Sequence, residues 1–292
     1  MSNIGPRCPT KNAAKEPLEE FAKLLFGPTW RNGLILMAAV YFDESESHRP
    51  RDVFALAGCV STTERWIAFK EMWAERLAKD NVRYFHTTDW ARRKPPFDQL
   101  TDQKHEALGR DLCKLIEGQS VLHCVMEVIP ARFYREMFVP QLHDDALMAY
   151  KDPYFFCFLS CLTHISVAQQ NGILPNERVE CFFERRDPKR DQRLMREYER
   201  VRGEFFPGKF GIIASGTKED PEMLPCQAAD LIVYQSMKRV RAKYGRPDDL
   251  PSIDLYALSD KGKLSGGLFS QPQQWKKYLD QVKAHQARRL LK

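Results

Sequence analysis

The chain has 292 residues and is 43% hydrophobic, enough for one large domain or two small ones around a buried core. Lysine and arginine total 45 against 39 acidic residues, and a net charge of +6 over this length does not by itself argue for a nucleic-acid partner. Residues 1–17 lack the apolar stretch of a signal peptide, and the longest strand-like apolar run, Leu34 to Phe42, is too short to span a bilayer. The expectation is a soluble, cytoplasmic protein with no membrane partner. Seven of the eight cysteines lie inside apolar segments with no CxxC pair and no Cys/His ligand spacing, so they read as small buried thiols.

In chain order, residues 13–26 predict an amphipathic helix that presents Leu18, Phe21, Leu24 and Leu25 on one face. Leu34 to Phe42 is a continuous apolar run, as expected for a strand covered on both faces, and it stops at Asp43-Glu44-Ser45. Val53 to Val60 predicts a second strand that pairs antiparallel with the first. Ser61-Thr62-Thr63-Glu64 has the pattern of a capping box, followed by Trp66, Phe69, Trp73 and Leu77 at helical spacing. Val82 to His86 predicts a short strand, Asp102 to Glu117 a helix, and Val121 to Ile129 another strand. Residues 153–170 are apolar nearly all round and start with a proline, which predicts a helix buried against the sheet. Val179 to Glu184 predicts a strand ending on an acid, residues 191–202 a basic helix, Lys209 to Ser215 a strand, and Leu224 to Val240 a helix. The remaining residues read as loops and a basic terminal helix.

Three acids stand out. Asp43 and Glu184 fall at the carboxyl ends of predicted strands, where ligand sites form in open α/β sheets. Asp230 sits inside an otherwise apolar helix, where an unpaired charge is costly. Two carboxylates about 4 Å apart repel by roughly 4 kcal/mol at an effective dielectric near 20. Three together therefore either take up protons or hold a hard cation such as Mg²⁺ or Mn²⁺. Gln227 and Asp230 are three residues apart on one helix face, and Gln227 is placed to orient a water or bind phosphate. The competing reading pairs Asp230 with an arginine and gives Gln227 a backbone-capping role.

Taken in order, Tyr41-Phe42-Asp43-Glu44-Ser45, Phe54 to Val60, Phe85-His86, Phe182-Phe183-Glu184 and Gln227-Ala228-Ala229-Asp230 resemble the family catalogued as domain of unknown function 3800. The resemblance covers roughly residues 37–240. It implies an RNase H-like mixed α/β sheet with an initial antiparallel hairpin, helices on both faces and helical additions at each terminus. The corresponding division is an extension over 1–30, the domain over 31–245 and a C-terminal loop and basic helix over 246–292. Glu46 departs from the family's glycine after Asp-Glu-Ser, and Glu184 stands where Asp is common.

His86 follows a predicted strand and precedes Thr87-Thr88-Asp89, a place for a proton shuttle, a phosphate contact or an outer metal ligand; a hydrogen-bonded structural histidine is the alternative, and the resemblance favours a functional role. Glu44 is a second-choice ligand, because alternation along a strand points it away from Asp43. Arg185, Arg186, Lys189, Arg190, Arg193 and Arg196 follow Glu184 and are candidates to hold nucleic-acid phosphates, although a solvated helix face also explains them. The expected function is a metal-dependent nuclease acting on RNA or DNA, with Asp43, Glu184 and Asp230 as metal ligands. The alternative is a non-catalytic module that binds nucleic acid or a protein partner. A cysteine-nucleophile enzyme has little support, since no cysteine lies in a basic, polar setting.

Overall fold

The computed structural model describes residues 38–46, 53–118, 120–142, 150–184, 210–216, 219–220, 223–243 and 260–268, with 192, 196, 198–199 and 258 as isolated positions. The predicted helix at 13–26, the terminal basic helix and most of the basic segment after Glu184 lie outside these residues.

Six strands form one mixed sheet. They are β1 (Ala38–Glu46), β2 (Val53–Thr62), β3 (His123–Pro130), β4 (Val179–Glu184), β5 (Phe210–Gly216) and β6 (Leu264–Leu268), in the spatial order β5-β4-β1-β2-β3-β6. β1, β2 and β3 form an antiparallel meander, while β4 lies parallel to β1, β5 parallel to β4 and β6 parallel to β3. The expected mixed sheet with its initial antiparallel hairpin is present, with β6 added at the β3 edge.

Among the described residues, the helices of five residues or more that pack around it include α1 (Thr63–Ala78), α2 (Thr87–Ala91), α3 (Asp102–Glu117), α4 (Pro153–Gln170) and α5 (Leu224–Lys243). Strand alternation sorts the core into two layers. Ala39, Tyr41, Ala55, Ala57 and Cys59 pack with Trp66, Phe69 and Trp73 of α1 and with the apolar residues of α5. Val40, Phe42, Leu56 and Val60 pack on the opposite face with Phe155, Phe158, Leu162 and Ile165 of α4. Stacked ring pairs across β1 and β4 mark the two faces, Tyr41 on Phe182 at 4.7 Å on the α5 face and Phe42 on Phe183 at 5.2 Å on the α4 face. Gly58 makes room for the second pair, because a Cβ there would lie 2.6 Å from the Phe42 ring.

Four local readings change. β1 does not stop at Asp43 but continues to Glu46, since β2 keeps pairing with it through Glu46 opposite Phe54, beyond the last parallel pair with β4 at Phe42 and Phe183. The cap of α1 is Thr62 rather than Ser61: the Thr62 hydroxyl accepts from the Arg65 backbone N–H, while the Ser61 hydroxyl donates to the Ser120 carbonyl. Residues 82–86 form no strand, because side chains of α5, not a neighbouring strand, bind the backbone at Phe85 and Thr87. β6 was not anticipated; its sequence, LSGGL, carries no apolar alternation.

Among the described residues no helix is long and apolar enough to cross a membrane. Polar side chains on α4 instead meet a buried acid of β3. Ser160 and His164, one turn apart, converge on Glu127, which is fully buried; the Ser160 hydroxyl donates to Glu127 Oε2 and His164 Nε2 lies 3.7 Å from it. The other oxygen, Oε1, has no hydrogen-bond partner. Burial pushes the Glu127 carboxyl above its ordinary value, partly offset by His164 and Ser160. A carboxyl whose pKa is higher folded than unfolded stabilises the fold fully below the unfolded value, about 4.3, and loses that contribution as pH rises through the folded value. Urea unfolding of Glu127→Gln is therefore expected to remove a downward slope of wild-type stability above about pH 4.3. The variant should become the more stable protein, by on the order of 1 kcal/mol, at alkaline pH.

Candidate active site

The site is built where β1 and β4 run side by side. Asp43 is on β1 and Glu184 is the last residue of β4, each one residue beyond the Phe42–Phe183 pair. Alternation places both on the face of Tyr41 and Phe182, the face covered by α5. Asp230 lies on α5 among Ala228, Ala229, Leu231 and Ile232, all buried. Asp43 and Glu184 therefore share one face at one end of the β1–β4 pairing, and Asp230 is carried by the helix packed on that face. Asp43 and Asp230 are 2% and 5% exposed, so this negative charge sits largely away from water, whereas Glu184 is half-buried. Glu44 lies on the α4 face beside Phe42 and is separated from them by the sheet.

The segment before α2 is tied to α5. Asp230 Oδ2 accepts the Thr87 backbone N–H at 2.7 Å. One turn earlier on α5, the fully buried Gln227 accepts the Phe85 backbone N–H at 2.9 Å and the Trp73 indole N–H at 2.8 Å through the same oxygen. That oxygen holds α1 and residues 85–87 against α5, which includes the backbone-capping role of the competing reading. Phe85 adds apolar anchoring, edge-on to Trp73 and to Phe97.

His86 stands between these two pinned residues, with its side chain about one-third exposed. Its Nδ1 lies 2.7 Å from Asp89 Oδ2, and Lys94 Nζ lies 3.1 Å from Asp89 Oδ1. Burial alone would push the Asp89 carboxyl up, but the hydrogen bonds and charges of His86 and Lys94 outweigh it and hold the group below the usual range. Sequence reasoning missed Asp89, Trp73 and the Thr87 backbone. The spacing of His86 and Asp89, three residues apart at a helix start, was the available signal for the first.

An all-carboxylate donor set suits a hard divalent ion such as Mg²⁺ or Mn²⁺. Among the described residues, however, no group of three or more His, Cys, Asp or Glu side chains is gathered closely enough to hold one. Asp43 and Glu184 share a face and an end of the sheet, and Asp230 lies on the helix that covers that face. Arg185, Arg186, Lys189, Arg190 and Arg193 lie outside the described residues; Arg196 is helical and exposed.

No family model and no curated protein matches the chain. A solved structure of ribonuclease H2 from Pyrococcus horikoshii OT3 is similar at 15% identity, over 74% of this chain and 82% of that one, with a TM-score of 0.36.

Proposed function

We propose that the protein is a divalent-metal-dependent nuclease, in which Asp43, Glu184 and Asp230 hold Mg²⁺ or Mn²⁺ and a nucleic acid is the substrate. The observation that carries this reading is the placement of three carboxylates on one face of an RNase H-like sheet, two of them nearly buried. Carboxylate oxygens of this kind are suited to a hard divalent cation. The ordered motifs that resemble the domain of unknown function 3800 family run through the same elements. When bound, the ion would neutralise charge on a phosphodiester and lower the pKa of an attacking water. The chain's own part is to supply anionic oxygens from two adjacent strands and one helix, and to hold residues 85–87 beside them. The basic residues 185, 186, 189, 190 and 193 are proposed to bind the phosphate backbone.

Incubation of the purified protein with Mn²⁺ and labelled single- and double-stranded RNA and DNA tests this reading. Cleavage of at least one substrate is expected, falling at least about 100-fold in Asp43→Asn, which removes a carboxylate charge at the reacting centre. No cleavage of any substrate, or full activity in Asp43→Asn, overturns it.

The second reading is a non-catalytic RNase H-like module that binds nucleic acid or a protein partner. It is favoured by the absence, among the described residues, of a gathered three-ligand cluster, and by Glu46 in place of the family's glycine. Salt-sensitive nucleic-acid binding without Mn²⁺ uptake would select it.

A further inference from the structure

Away from the candidate active site, we propose that Cys59 and Cys124 are a peroxide-reactive thiol pair, oxidised to a disulfide that ties β2 to β3. The two residues are partners in the antiparallel register, and their Sγ atoms lie 3.7 Å apart. Cys124 donates its backbone N–H to the Lys263 carbonyl, on the β6 side of β3. The N–H and C=O of one strand residue point the same way, so Cys124 makes no ladder hydrogen bond with Cys59. Such a non-hydrogen-bonded pair is the narrow kind, with Cα atoms about 4.5 Å apart. That spacing falls inside the range of about 4.4–6.8 Å that a disulfide spans. The bond therefore forms by rotation of two side chains, with the backbone left in place.

The surroundings decide which sulfur meets the oxidant and what that oxidant is. Both thiols are fully buried in the layer under α5, which excludes a bulky reagent. Hydrogen peroxide is little larger than water and needs only a small local opening. Cys124 is the nearer of the two to the sheet edge: its partner on β6, Leu264, is only partly buried, and β6 is five residues long. The hydrogen bond with Cys124, together with burial, pushes the Cys59 thiol up, so Cys59 keeps its proton while Cys124 reacts. Cys226 on α5 is close enough to Cys59 to act on its charge, and is the competing partner for a disulfide.

The chemistry balances with one peroxide. An electron pair of the Cys124 sulfur attacks a peroxide oxygen, the sulfur–oxygen bond forms, the oxygen–oxygen bond breaks, and the departing hydroxide leaves as water with the proton of that thiol. The Cys59 sulfur then attacks the sulfur of the Cys124 sulfenic acid. The sulfur–sulfur bond forms, the sulfur–oxygen bond breaks, and a second water leaves with the Cys59 proton. Two thiols are oxidised and one peroxide is reduced to two waters. A dithiol reductant reverses the bond by exchange. The bond joins positions 65 apart, so it restricts the unfolded chain and stabilises the oxidised protein.

Non-reducing peptide mapping tests the pair. The reduced full-length protein is treated with hydrogen peroxide, quenched with catalase, denatured, alkylated with N-ethylmaleimide and digested. The expected product is one cross-linked peptide pair joining Cys59 to Cys124, with two of the eight cysteines protected from alkylation and restored by dithiothreitol. The oxidised protein should melt at a higher temperature than the reduced one. Cys59→Ala, or Cys59→Val where alanine does not fold, should stop the reaction at a Cys124 sulfenic acid that dimedone captures. Alkylation of all eight cysteines in the treated wild type overturns the proposal, as does a disulfide from either residue to Cys226, or a variant without the dimedone adduct on Cys124. None of these measurements involves cleavage or metal, so the outcome leaves the nuclease reading untouched.

Discussion

Gln227→Leu is expected to cost about 2–6 kcal/mol of stability, because it strands two buried donors at about 1–3 kcal/mol each. The replacement has nearly the same volume, so a cavity contributes little. What is lost is the single oxygen that accepts from both the Trp73 indole and the Phe85 backbone. Against a typical total stability of about 5–15 kcal/mol, this is a large share. Urea unfolding monitored by tryptophan fluorescence reads it directly. The coupling has its own signature: Trp73→Phe removes one of the stranded donors, so its cost should be smaller in the Gln227→Leu background than in wild type. Additive costs for the two substitutions would show that Gln227 does not brace α1 and residues 85–87 through a shared oxygen.

Asp230 gives the second large effect, and the two obvious substitutions separate its two jobs. Asp230→Ala removes the acceptor of the Thr87 N–H and should cost about 1–3 kcal/mol on that account. Asp230→Asn keeps an acceptor oxygen in the same place and should destabilise less than alanine. Both remove the negative charge. If Asp230 is a metal ligand, both should abolish the rise in melting temperature that Mn²⁺ gives the wild type, a gain of about 2.7 kcal/mol at a metal concentration one hundred times Kd. Cleavage should fall by at least about 100-fold in both. An asparagine variant that keeps the Mn²⁺-dependent shift would confine Asp230 to its bracing hydrogen bond with Thr87.

Much of this was legible in the sequence because the two layers of the core are written as period-two and period-3.6 patterns. The run ending at Phe42, the strand from Val179 to Glu184 and the apolar helix from Leu224 each announce themselves, and alternation alone separates Asp43 from Glu44. What failed was local and had a tertiary cause. VRYFH has the composition of a strand, yet its backbone donors go to Gln227 and Asp230, and no sequence pattern says that a side chain 142 residues away will replace a neighbouring strand. LSGGL reads as a loop and becomes β6 only because β3 offers an unpaired edge.

The site was legible to the level of the face and no further. Strand ends put Asp43 and Glu184 on the side of the sheet that the helix of Asp230 covers. Whether three carboxylates reach one point depends on rotamers and on how deeply α5 seats, which spacing does not encode. The same limit left Gln227 open between a ligand contact and a backbone cap, since spacing does not show that Phe85 and Trp73 both donate to its oxygen.

The central claim is that the three acids are a metal site, and a crystal soaked in Mn²⁺ and measured at the manganese absorption edge tests it most directly. The account predicts an anomalous peak bounded by carboxylate oxygens of Asp43, Glu184 and Asp230, absent in Asp230→Asn crystals soaked in parallel. No peak there at millimolar Mn²⁺, in crystals that diffract well enough to show one, would contradict it.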